Sequence, residues 1–166
     1  LLVGSGCMNS AFFETAKNKS RDDLLEHAKY YDYIELQPIS DFKHLEEDMD
    51  RAIDNIKETF ERIINVAEEL NIPVVATGDV HHISESDAIF RDIYVQTPVV
   101  VGVLHPLSRD NSIPSQFFRT TDEMLKEFSF LSEEKQQEIV ITNTNLVYDQ
   151  IDFVQAFNPQ LYTPTD

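Results

Sequence analysis

The stretch NIPVVATGDVHHI, residues 71–83, decides how this chain is read. Residues 73–77, PVVAT, are apolar without alternation. Such a run suits a strand buried on both faces of a parallel sheet. It stops at Thr77-Gly78, and Asp79, His81 and His82 follow at once. In parallel α/β folds, functional groups collect at the C-terminal ends of strands. Asp79 and His81 are two apart, so on an extended segment they face the same way and His82 the other. A turn-capping role explains Asp79 about as well as a ligand role. His82 reads better as a loop or packing residue than as a ligand.

Upstream, the strongest periodic element spans His44 to Leu70. Leu45, Met49, Ala52, Ile53, Ile56, Phe60, Ile63, Ile64, Ala67 and Leu70 form one helical stripe. Asn71 and Pro73 end it. YIELQP, residues 33–38, alternates and closes on proline, as a strand does. Ser20 with Asp23 opens a helix through Leu24, Leu25, Ala28 and Tyr31, and Ser10 caps a shorter one over residues 10–17. Residues 1–5, LLVGS, read as a short buried strand. Downstream, a helix starts near Ser84. Residues 97–118 form a long connection with three prolines, in which VVVGVL is a further candidate strand. Thr120 and Glu123 make a capping box. A last helix is expected from Ser132 to Ile151. The order predicts βα units and a parallel sheet or barrel. The strands are too few to close a barrel, so part of it is expected to lie outside this chain.

Bulk properties set limits. The chain has 166 residues, enough for a real core. No apolar run approaches the ~20 residues that span a bilayer, and no signal-peptide pattern opens the chain, so a soluble, cytoplasmic protein is expected. The absence of a starting Met suggests a piece of something longer. One cysteine excludes a disulfide framework within the chain. With 13 basic against 30 acidic residues, the net charge is −17. Such a surface repels nucleic acid phosphate.

A second strand end carries a ligand-type side chain, Cys7, just after LLVGSG. A Cys–Asp–His set suits zinc, or manganese or iron with more oxygen ligands. A lone cysteine is as often simply a small apolar residue. Glu35 reads as a partner for a nearby Lys or Arg, and Gln37 as a polar group at the strand end. His27 and His44 read as surface groups on helices, and His105 is unassigned in its loop. A phosphate-binding P-loop and a G-x-S-x-G nucleophile elbow are both absent from the sequence.

Several stretches, taken in order, resemble one known family. They are LLVGSGCMNSAFFETA (1–16), YYDYIELQP (30–38), NIPVVATGDVHHISESDAIFRDI (71–93), FRTTDEMLKEFSFL (118–131) and LYTP (161–164). Together they resemble the PHP (polymerase and histidinol phosphatase) domain of PolC-type DNA polymerase III alpha subunits. The resemblance implies α/β architecture: part of a PHP-type distorted (β/α)7 barrel, followed by helices leading toward the polymerase core. It implies that residues 1–118 are the C-terminal part of the PHP domain, 119–152 a helical segment and 153–166 a linker toward the palm domain. It also implies metal ligands at Cys7, Asp79 and His81, with Zn, Mn or Fe in the PHP site and Mg for the intact polymerase. The histidine-rich motifs that supply the family's other ligands belong to the first half of the domain and are not in this sequence. His82 stands where the family often has Tyr.

The implied whole protein is a DNA-directed DNA polymerase with an associated 3′–5′ exonuclease. Its partners would be the remaining domains of the same chain, DNA, deoxynucleotides and replisome components. DNA would not be met by this acidic fragment. The fragment itself is expected to be inactive, with no catalytic residue of its own, and to self-associate through exposed strand edges. Two alternatives remain at the level of sequence. One is a stand-alone PHP-family metal-dependent phosphatase. The other is a non-enzymatic scaffold between exonuclease and palm.

Overall fold

The computed structural model describes residues 1–47, 51–98, 102–109 and 113–155. It is an α/β arrangement built around two short parallel strands, β1 (Ile34–Leu36) and β2 (Val74–Ala76). Ile34 pairs with Val74, Glu35 with Val75 and Leu36 with Ala76. Parallel pairing requires a crossover. Here it contains a 3-10 segment, Ile39–Glu47, and the helix α3 (Ala52–Leu70). Val74 and Val75 are both buried, so β2 is covered on both faces, as its unbroken apolar run demands.

Before the sheet come α1 (Ala11–Asn18) and α2 (Arg21–Ala28). Ser10 caps α1 by accepting from the Phe13 N–H at 3.2 Å. Ser20 and Asp23 form the expected capping box on α2. Arg62 on α3 donates to the carbonyls of Ala16 and Lys19 at 2.7 and 2.9 Å, which satisfies orphan acceptors at the end of α1.

After β2, Ser84 and Asp87 form a capping box ahead of α4 (Ala88–Gln96). The helix α5 (Thr121–Glu127) opens with the box formed by Thr120 and Glu123. The C-terminal helical run is α6 (Glu133–Gln137), a π-helical turn (Glu138–Thr142) and α7 (Asn143–Asp149). Where the ladder widens, the buried Asn143 side chain donates to the Val74 carbonyl at 2.9 Å. A polar group on the outer edge of β2 is thereby satisfied.

One core holds these parts together. Ile56, Phe60, Ile63, Ile64 and Ala67 on α3 face Phe12, Phe13, Leu24, Ala28, Ile34, Leu36, Phe42, Phe128 and Ile139. Phe60 sits at its centre, with ring centroids 5.6 Å from Phe42, 6.2 Å from Phe13 and 6.4 Å from Phe128.

Two sequence expectations are corrected. Residues 1–5 are not a buried strand. Gly4 makes one isolated parallel bridge to Tyr33, while Leu1 and Val3 are exposed. The apolar letters there misled because this segment lies along one side of β1, with nothing described on its far side. The helix expected from His44 to Leu70 does not run through. Leu45 lies in the 3-10 segment, Arg51 has a left-handed φ of 62°, and the α-helix begins at Ala52. The apolar period survives that break because both parts pack on the same core. Met49 lies outside the described residues, as do Val99 to Val101 and the LYTP stretch. Asn71 ends α3 in the left-handed region at φ 54°, as its sequence position suggested.

Because Phe60 is fully buried and packs against four other rings, those of Phe13, Phe42, Phe128 and Phe130, Phe60→Ala should cost about 3–5 kcal/mol of stability. Leu146→Ala, on the half-exposed face of α7, should stay within about 0.5 kcal/mol. Urea unfolding of the two variants beside wild type checks the contrast.

Candidate metal centre

Several chain segments meet around a cavity of about 580 Å³, lined among others by Cys7, His44, Asp79, His81, His105 and Gln116. Cys7 arrives on the turn before α1, whose Ser10 N–H donates to the Cys7 carbonyl at 2.8 Å. That turn is tied to β1. The Gly6 N–H donates to Glu35 Oε1 at 3.2 Å, and the Glu35 N–H donates to Ser5 Oγ at 2.9 Å. A side chain at Gly4 would place its Cβ 2.5 Å from Glu35 Oε1 and 2.6 Å from the Tyr33 ring, so both side chains would have to move to admit one. Glu35 therefore braces the cysteine turn and, among the described residues, is not paired with a Lys or Arg as the sequence suggested. Gln37, at the end of β1, is buried and donates to Thr77 Oγ1 at 3.0 Å.

Asp79 and His81 arrive on the segment after β2. That segment is not extended at Asp79, where φ is 44°. The same-face argument from strand alternation therefore does not apply, yet both residues line the one cavity. Asp is among the residues that tolerate this backbone region. The turn brings the Asp79 carbonyl to 2.7 Å from His81 Nδ1. The ring must donate there, which leaves the lone pair of neutral His81 on Nε2.

His44 repeats the pattern: its Nδ1 donates to the Asp41 carbonyl at 2.9 Å. This histidine is buried against the cavity, not on the surface as its position had suggested. His27 is also no surface group. It is half-buried, bonds Thr15 Oγ1 through Nδ1 at 2.9 Å, and packs edge-on against Phe12. His105 has the opposite tautomer to His81, because its Nδ1 accepts from the Leu107 N–H at 3.2 Å.

His82 does not line the cavity. It lies beside Asp87, Phe90 and Arg91, with both ring nitrogens buried and without a hydrogen-bond partner among the described residues. Burial pushes its pKa down and favours the neutral ring.

The donor types around the cavity suit a divalent ion. Their spacing does not. Among the described residues, no three His, Cys, Asp or Glu side chains converge closely enough to hold one. The chain alone thus presents ligand-type groups without a closed ligand set.

Behind the cavity lies a cluster that sequence reading missed. Asp41 and the Arg119 side chain are fully buried and meet at 3.1 Å. Arg119 Nε also donates to Glu127 at 3.2 Å, and Nη2 to Ser40 Oγ at 2.7 Å. Burial pushes the Asp41 pKa up to about 7, against the pull of Arg119. Little offsets that burial: Arg119 is shared with Glu127, and Asp41 Oδ2 has no partner among the described residues. The sequence showed the Thr120 box beside Arg119, but nothing in it paired Arg119 with Asp41, 78 residues away.

No family model matches the chain. Over 165 residues, 99% of the chain, it is 42% identical to the PolC-type DNA polymerase III of Halalkalibacterium halodurans and 42% to that of Bacillus subtilis. The Staphylococcus aureus protein of the same description is 39% identical over the same span. The chain therefore matches one segment of PolC-type DNA polymerase III and spans 11% of the length of these curated relatives.

A pH dependence follows from Asp41. Its folded pKa, about 7, lies above the ordinary carboxyl value of 3.8, so folding takes up a proton between those values. The associated stability is present at low pH and is lost as pH rises through about 7. Urea unfolding from pH 4.5 to 8 should show wild type losing roughly 2–4 kcal/mol relative to Asp41→Asn, which cannot ionise.

Proposed function

We propose that the chain is the C-terminal part of a PHP domain within a bacterial replicative DNA polymerase. In this reading Cys7, Asp79 and His81 form one wall of a metal site, and the facing wall comes from elsewhere in the polypeptide. The observation that carries it is the cavity itself. A cysteine turn and an Asp-x-His turn, far apart in sequence, are both braced against it, in a chain that matches PolC-type polymerases along nearly its whole length.

The remaining features fit this reading. The two parallel strands are part of a distorted (β/α)7 barrel, with helices beyond them leading toward the polymerase core. The intact protein would carry out DNA-directed DNA synthesis with Mg, alongside a 3′–5′ exonuclease, in the cytoplasm. DNA, deoxynucleotides and replisome components would be met by other domains, because this segment carries a net charge of −17. Lys17 and Arg91 also line the cavity, so cationic groups stand ready for a phosphoester there.

A completed PHP site of Zn, Mn or Fe supplies Lewis acidity and a water of lowered pKa. The chain's own residues orient and hold. His81, fixed through Nδ1, offers Nε2 in a set direction. Asp79 is held through Oδ2 by Gln116 at 2.7 Å. Cys7 would act as a ligand, not a nucleophile.

A scaffold reading has one observation in its favour. Ile89, Phe90, Ile93 and Tyr94 on α4 are exposed together, as faces awaiting a neighbour often are.

The expected outcome for the isolated chain is no metal-dependent phosphoesterase turnover above background. Asp79→Ala in the full-length polypeptide should lower its bound PHP-site metal at least tenfold while primer extension remains. Turnover by the isolated chain that Asp79→Ala abolishes would contradict the divided-site reading.

A further inference from the structure

The residues that place Asp79 and His81 are themselves held from one point outside the cavity. The segment from 113 to 119 has no regular secondary structure beyond a single parallel bridge between His82 and Phe117. Gln116 nevertheless makes three bonds to the Asp-x-His turn. Its carbonyl accepts from the His81 N–H at 2.8 Å and the His82 N–H at 3.3 Å. Its Nε2 donates to Asp79 Oδ2 at 2.7 Å. The next residue but one adds a fourth contact, with the Phe118 N–H donating to the His82 carbonyl at 3.1 Å.

A segment this irregular needs an anchor, since no strand ladder fixes it. Arg119 is that anchor. Its guanidinium donates to the carbonyls of Ser115 and Phe117, one on each side of Gln116, and stacks 4.2 Å from the Phe117 ring. Its other bonds run to Ser40, Asp41 and Glu127. Asp41 in turn accepts the His44 Nδ1–H through its carbonyl. One buried cation therefore ties the Gln116 strap to the segment that carries His44, on another wall of the same cavity.

We propose that Arg119 is the positioning residue of the site: through Gln116 it sets the Asp79 carboxylate and the His81 backbone. Asp41 and Glu127 hold its fork in place. Lysine would keep the charge but could not reach five acceptors from one plane. The proposal rests on the metal-site reading for its purpose, but the geometry can be tested without a metal.

The test uses the full-length polypeptide, stripped of metal, with hydrogen exchange followed by mass spectrometry. In Arg119→Lys, peptides covering residues 78–84 should exchange at least tenfold faster, because the His81 and His82 amides lose their fixed acceptor. Peptides from α3 should be unchanged. Glu127→Gln, which preserves shape at a partly exposed position, should show the same local pattern to a smaller degree; it serves where Arg119→Lys fails to fold. Manganese titration adds a readout that general loosening would not reproduce. Arg119→Lys and Gln116→Ala should each weaken binding at least tenfold, and the double variant no further.

Unchanged exchange at residues 78–84 in both variants overturns the proposal. So does faster exchange spread equally over α3, or additive losses in the double variant. If wild type binds no manganese at Asp79 and His81, the metal-site reading fails, and the exchange data alone decide the role of Arg119.

Discussion

The buried Arg119 cluster is the interaction on which the arrangement of the cavity depends. A guanidinium has five donors in a rigid fork, and here it joins residues 40–41, 115–117 and 127, which are distant in sequence. Taking such a group out of water is costly, and losing a partner leaves an uncompensated charge inside. The chain meets that cost with several oxygen acceptors and with the carboxylate of Glu127, while burial raises the Asp41 pKa to about 7. Apolar groups of similar volume often replace a buried ion pair at little cost in stability, but they would leave the carbonyls of Ser115 and Phe117, on either side of Gln116, without the Arg119 donor.

The sheet and the cavity use the same physical device. β1 and β2 are only three residues each, so neither positions a side chain beyond its own end. What positions the ligand-type groups is a set of side chain to backbone bonds around those ends. Glu35 holds the turn of Cys7, Asp79 holds the ring of His81, and Asp41 holds the ring of His44. Each places a donor at the cavity wall without bringing the donors together. The result is a site with oriented parts and open distances between them, which fits a segment spanning 11% of its relatives.

Much of this was legible in the sequence where local chemistry decides structure. Ser10, Ser20, Thr120 and Asn71 each announce a helix end by bonds within a few residues. PVVAT read as a two-sided buried strand because no polar residue interrupts it. The site was legible only as types of residue at strand ends, which led to Cys7, Asp79 and His81 lining one cavity. Long-range choices were not legible. His44 looked like a surface histidine because a 3-10 segment and the left-handed Arg51 interrupt the helical period that placed it outward. The bond from Gln116 to Asp79 spans 37 residues, and the pairing of Arg119 with Asp41 spans 78; neither leaves a local signature.

The central claim is that this chain supplies one wall of a metal site and that another part of the same polypeptide supplies the rest. Anomalous diffraction from the full-length protein loaded with manganese tests it most directly. The account predicts an anomalous peak in the cavity, coordinated by Asp79 and His81 together with at least one residue from outside this segment. A peak whose protein ligands all come from residues 1–166, or no peak in the cavity at all, would contradict it.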